Sequence, residues 1–214
     1  MAARETFNVQ MKDLLNDVLE ICDHAITSFE LSFRALTEHN LALAHYIIEQ
    51  DKVINRLEQS INDHAILLIT KQQPVATDLR RLVMQIKVAG DMERIGDYSV
   101  NIAKEIIRIG EVRPTISNEL LEHMFRKSIK MLKLITEAYA KEDIVEAREF
   151  ALLDDEIDEL YKNVTQQLSM LNASSVALNL SFIAHYIERV ADHATNIAEH
   201  LLYLKKGRHY DLNE

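Results

Sequence analysis

Asp91-Met92-Glu93-Arg94-Ile95-Gly96-Asp97-Tyr98-Ser99-Val100-Asn101-Ile102-Ala103 has a counterpart 95 residues further on, Tyr186-Ile187-Glu188-Arg189-Val190-Ala191-Asp192-His193-Ala194-Thr195-Asn196-Ile197-Ala198. Both stretches read E-R-x-x-D-x-x-x-N-I-A. Around the first, Val88, Met92, Ile95, Ile102, Ile106 and Ile109 step mostly by three, four and seven, as apolar residues do on one face of a helix. Around the second, Ile183, Ile187, Val190, Ala194, Ile197, Leu201 and Leu204 do the same. A repeated amphipathic helix points to an internally duplicated helical chain. A second correspondence runs at an offset of 103 residues: Asp51-x-x-Ile54-Asn55-x-Leu57 answers Asp154-x-x-Ile157-Asp158-x-Leu160. Behind it, Asn40-Leu41 answers Asp143-Ile144 at the expected starts of two helices. The difference between the offsets places an eight-residue deletion in the second copy, near the turn into its last helix.

Composition agrees with this reading. The 214 residues are 48% hydrophobic and 27% charged, with four glycines, two prolines and one cysteine. So few turn formers cannot easily serve a β-sandwich or barrel, and the apolar content excludes a disordered chain. Breakers at Pro74 and at Gly110–Pro114, with Ser117 as a helix cap and a last break over Asn172-Ala173-Ser174-Ser175, divide the chain into six helices. Their expected spans are 5–38, 40–71, 77–109, 118–141, 144–171 and 175–206. The fold class is therefore all-α: two tandem, pseudo-symmetric three-helix bundles, over 1–112 and 113–214. The longest unbroken apolar run, Ala65 to Ile69, is far short of the roughly 20 residues a membrane span needs. No secretion signal is read at the N-terminus, and Cys22 has no partner for a disulfide, which fits a cytoplasmic protein. A formal net charge of −10 disfavours nucleic acid and favours cations or a basic protein partner.

Residues four apart on a helix lie nearly on one line. Glu93, Asp97 and Asn101 share such a line, as do Glu188, Asp192 and Asn196, each about half a turn from the apolar stripe. A solvated acidic face explains one such line. It does not explain why the same residue types stand at the same spacing twice. Like charges at i and i+4 repel by a few tenths of a kcal/mol, so helix stability does not explain it either. Facing Asp51 and Asn55 in one half, and Asp154 and Asp158 in the other, the lines form oxygen-donor sets suited to Mg²⁺, Mn²⁺, Ca²⁺ or iron. His185 shares a face with Glu188 and Asp192 and could join its site, whereas His64, His193 and His200 read as surface residues. Arg94 and Arg189 read as local ion-pair partners of the acids or, with Arg80 and Arg81 in the basic stretch 78–87, as docking residues for an acidic partner. Cys22 reads as a packed small residue. Nucleotide-loop, zinc-protease and hydrolase-elbow motifs are absent from the sequence, as are the paired E-x-x-H helices of di-iron enzymes.

Gln73-Pro74-Val75-Ala76-Thr77-Asp78-Leu79-Arg80-Arg81, running through Lys87 into Asp91-Met92-Glu93-Arg94-Ile95-Gly96-Asp97, resembles the PhoU family over nearly the whole chain. The resemblance implies a cytoplasmic, non-enzymatic homodimer that restrains phosphate uptake and the phosphate-starvation (Pho) regulon when phosphate is plentiful. It also implies contacts with the transporter ATPase PstB and the sensor histidine kinase PhoR, and only peripheral contact with a membrane complex. Metal ions such as Mg, Mn or Fe would then sit on Glu93, Asp97, Asn101, Asp51 and Asn55, and on Glu188, Asp192, Asn196, Asp154 and Asp158. The second copy lacks the arginines of the first between Ser174 and Phe182, so a role of Arg80 and Arg81 would be one-sided. The alternative reading is a multinuclear metalloprotein, either a metal store or a phosphate-ester hydrolase.

Overall fold

Six helices follow one another: α1 (Ala2–Glu38), α2 (Leu41–Gln72), α3 (Thr77–Ile109), α4 (Glu119–Lys141), α5 (Ala147–Ser169) and α6 (Ser175–Lys206). The computed structural model describes residues 2–110, 119–143, 147–170 and 175–207. The ends lie close to those expected from the breakers. Asn40 caps α2, its Oδ1 accepting from the Leu43 N–H at 3.0 Å. Beyond α2, Gln73 turns into the left-handed region at φ 44°, ahead of Pro74. The shortening of the second copy is visible at the far end of the helix: α5 stops at Ser169, the counterpart of Ile66, whereas α2 runs on to Gln72. The Ser117 cap, the cap of α5 next to Asp143 and the break at 171–174 lie outside the described residues.

What Asp143 does show is how α4 ends. Its N–H reaches Ala138 O at 2.9 Å while the Glu142 N–H reaches Tyr139 O at 3.0 Å, with Glu142 at φ 46°. At the equivalent place in the first copy, Asn40 N–H reaches Ala35 O at 2.9 Å and His39 N–H reaches Leu36 O at 3.4 Å, with His39 at φ 53°. These are two Schellman closures, both on residues other than glycine. The duplication therefore extends to the hydrogen bonding of the turns.

Helices α1, α2 and α3 pack on one another, as do α4, α5 and α6, but the most extensive contact in the molecule is between α3 and α6. The two run antiparallel: Asp91 meets His193 and His200, while Tyr98, two turns on, meets Tyr186, two turns back. Helix α1 also crosses to α4, where the Phe125 ring lies 4.9 Å from those of both Phe29 and Phe33. One continuous core results, running from Phe7 to Leu204. Burying a large side chain contributes about 1.5–3 kcal/mol, so the shared seam is a substantial part of the stability.

The antiparallel seam corrects one expectation. His193 and His200 are not surface residues. His193 Nδ1 stands 2.8 Å from Asp91 Oδ1 and His200 Nε2 stands 3.2 Å from Oδ2, all three side chains largely covered. One amphipathic stripe could be read from the sequence of α6, whereas α6 is in fact covered on several sides, by α3, α4 and α5. Burial alone would raise the Asp91 carboxyl, but its hydrogen bond with His193 and the nearby His200 outweigh that and hold it below the usual range. Cys22 is fully buried, as expected, and burial pushes its thiol up to about 12. Among the described residues, no helix is long and apolar enough to cross a membrane.

Candidate metal centres

Two carboxylate sets occupy equivalent flanks, one between α2 and α3 and the other between α5 and α6. In the first, Asn55 Nδ2 donates to Asp51 Oδ2 at 3.1 Å, leaving Asp51 Oδ1 and Asn55 Oδ1 buried without hydrogen-bond partners. The helices approach closely because Gly96 carries no side chain. A Cβ there would stand 2.9 Å from Ile54 Cδ1 and 3.7 Å from Asp51 Oδ1. Burial raises the Asp51 carboxyl, and the charge of Asp97 adds to the rise. Glu93 is raised by burial, then by Asp97, with smaller contributions from Glu58 and Asp51 and an opposing one from Arg94.

The second set is more perturbed. Asp154, only 8% exposed, is pushed up to about 6, first by burial and then by Asp192, with Asp158 and Asp155 adding and the Thr195 hydroxyl opposing. Glu188 is pushed up to about 7 by burial, then by Asp192, with Asp158 and Asp154 also raising it. Asp192 is raised by burial despite Arg189, whose Nη1 lies 2.6 Å from its Oδ2. Glu188 Oε2 is buried without a hydrogen-bond partner. Asn101 and Asn196 are half-buried one turn beyond, and no hydrogen bond joins them to the carboxylates.

The structure thus brings Asp51, Glu93 and Asp97 together, and Asp154, Asp158, Glu188 and Asp192 together. It adds Glu58, which the sequence reading passed over although it stands seven residues after Asp51 on the same helix face. Arg94 and Arg189 hold Asp97 and Asp192 in ion pairs at 3.2 and 2.6 Å. As the side chains stand, no three His, Cys, Asp or Glu residues among those described converge to hold a metal ion. The donor chemistry nevertheless fits a hard cation. The oxygens in question belong to carboxylates, several are crowded enough to resist ionisation, and buried oxygens remain without donors.

The arginines read as docking residues have internal roles. Arg81 forks onto Glu142 at 2.8 and 2.9 Å, and Lys205 approaches the same carboxylate at 3.7 Å, so the start of α3 is tied to the ends of α4 and α6. Arg80 reaches the Thr77 hydroxyl at 3.3 Å. Besides its ion pair, Arg189 faces Tyr98 across the seam, which with Asp192 holds its guanidinium above the usual range.

Fold and site together define an internally duplicated bundle protein with one acidic cluster in each half. The PhoU domain family model matches residues 18–106 and 121–201, one match in each half. The chain belongs to the PhoU family. It is 34% identical to a phosphate-specific transport system accessory protein PhoU homolog of Rhizobium meliloti, the alignment covering 94% of this chain and 87% of that protein. It is 29% identical to the phosphate-specific transport system accessory protein PhoU of Escherichia coli, over 95% and 87%. Among solved structures it resembles the phosphate transport system regulatory protein PhoU from Streptococcus pneumoniae, with a TM-score of 0.89 and 25% identity over 96% of this chain and 99% of that one. PhoU from Pseudomonas aeruginosa gives the same TM-score at 28% identity, over 94% and 100%.

Proposed function

We propose that this chain is an accessory protein of a phosphate-specific transport system, which restrains phosphate uptake and the Pho regulon when phosphate is plentiful. It acts in the cytoplasm as a homodimer, without turnover, between the transporter ATPase PstB and the sensor histidine kinase PhoR. The observation that carries this reading is similarity to such accessory proteins over nearly the full chain, through both halves and both acidic clusters. An adaptor of this kind needs no reacting centre. It must bind one state of its partners better than another, because only differential affinity shifts an equilibrium.

Asp51, Glu93 and Asp97 would hold one group of Mg, Mn or Fe ions and Asp154, Asp158, Glu188 and Asp192 the other, with Asn55, Asn101 and Asn196 at the margins. When bound, such ions supply positive charge that removes carboxylate repulsion and fastens α2 to α3 and α5 to α6. The chain's own acids set the docking surface by staying ionised in that state, while Arg94 and Arg189 are freed to face a partner.

The test is deletion of the gene under plentiful phosphate, read with a phosphate-starvation reporter. The reporter is expected to switch on, to be silenced by the intact gene, and to stay on with a folded variant in which Glu93, Asp97, Glu188 and Asp192 are alanine. A reporter indifferent to the deletion overturns the regulatory reading and favours a metal store or hydrolase.

A further inference from the structure

A cavity at the junction of the two halves belongs to neither acidic cluster. It encloses about 280 Å³ between the start of α1, the start of α3 and the end of α4. That is close to the roughly 300 Å³ at which small-molecule sites begin, and such sites favour places where two packed units meet. Two of its lining side chains are polar and almost wholly buried, Gln85 at 4% exposure and Tyr139 at 1%. Gln85 Oε1 and the Tyr139 hydroxyl are both without a hydrogen-bond partner, so they do not bond to each other. Burial above all holds the Tyr139 hydroxyl well above its usual range, which keeps its proton available to donate.

Packing does not require these polar groups. The duplication gives each a counterpart in the other half: Leu180 for Gln85 at the 95-residue offset, and Leu36 for Tyr139 at the 103-residue offset. Both leucines are core residues. At the matched positions the fold is thus served by leucine, whereas here it buries an unpaired amide oxygen and an unpaired phenol, which is costly. A ligand that accepts from Tyr139 and donates to Gln85 removes that cost.

The rest of the lining narrows the ligand class. Met11, Leu15 and Met84 supply apolar wall, and thioethers pack well against aromatic rings. Arg4 is paired with Asp78 and Arg81 with Glu142, but Lys12 is exposed and has no ion-pair partner among the described residues. One cation at the mouth is therefore left over for an anion. A flat ring with a donor and an acceptor side by side on its edge, carrying an anionic group, matches floor, wall and mouth together.

We propose that this cavity binds a nucleoside monophosphate, its base edge on Gln85 and Tyr139, its ring among Met11, Leu15 and Met84, and its phosphate at Lys12. Because α1 and α3 belong to the first half and α4 to the second, the bound nucleotide fastens the same junction that Arg81 and Glu142 tie.

The experiment is isothermal titration calorimetry of the full-length chain with AMP, GMP, CMP and UMP, set against the matching nucleosides and inorganic phosphate. At least one monophosphate is expected to bind, one per chain, more tightly than its nucleoside or phosphate alone. Gln85→Leu and Tyr139→Phe are each expected to weaken that nucleotide by about tenfold, with circular dichroism as the check on folding. Lys12→Ala, on the surface and harmless to the core, is expected to weaken the monophosphate severalfold and to leave its nucleoside unaffected. A wild type that binds none of the monophosphates at millimolar concentration overturns the proposal. Inorganic phosphate bound as tightly as any nucleotide also overturns it, by reducing the cavity to a bare anion site. Binding undiminished in the three variants does so as well, by placing the nucleotide elsewhere on the chain.

Discussion

Asp154 and Glu188 are carboxylic acids held close to neutrality by burial and by each other's neighbours, at about 6 and about 7. Both values lie above those of an unfolded chain, so between pH 4 and 7 the native state binds more protons than the unfolded one, and stability falls as pH rises. The metal-free protein is therefore expected to melt at a lower temperature near pH 8 than near pH 5. Asp154→Asn should flatten that slope, as thermal unfolding followed by circular dichroism will show. A melting temperature that climbs over the same range would contradict the crowding. Of these residues, the lines Glu93–Asp97 and Glu188–Asp192 were legible in the sequence because helical period and duplication both mark them. Glu58 was missed because it has no acidic counterpart in the second half, although its spacing from Asp51 was a usable signal. Asp91, His193 and His200 were missed for a different reason: their meeting depends on how two helices far apart in sequence are oriented, which no local pattern encodes.

At the level of the helices, the boundaries were legible wherever a side chain or ring dictates them, as at Asn40 and Pro74. The left-handed closures after α1 and α4 were not, because neither position carries the glycine that usually announces them. A non-glycine residue in that region costs about 1–2 kcal/mol. His39→Gly should therefore stabilise the protein by about 0.5–1 kcal/mol, some of the relief being lost to the freer unfolded chain, as a rise in the urea midpoint will reveal. Glu142→Gly relieves the same backbone but gives up the forked bond from Arg81, so its gain should be smaller or reversed. If both glycines act alike, the Arg81–Glu142 tie contributes nothing measurable.

For the molecule as a whole, duplication was legible but the union of the halves was not, since period and spacing describe each copy alone. The seam between α3 and α6 and the Phe29–Phe125–Phe33 contact between α1 and α4 make one core. Phe125→Ala, at a fully buried ring, is expected to cost about 3–5 kcal/mol and to lower a single unfolding transition seen alike by probes in either half. Two separate transitions would show that the bundles melt independently. The antiparallel pairing of equivalent helices has one more consequence. Half-length chains joined through that helix could form a symmetric pair with the same general layout, but in such a pair every substitution would fall on both sites at once. One continuous chain is free of that constraint: Tyr161 stands where the first half has Glu58, and Asp158 where it has Asn55, so a pseudo-symmetric scaffold carries unequal ends.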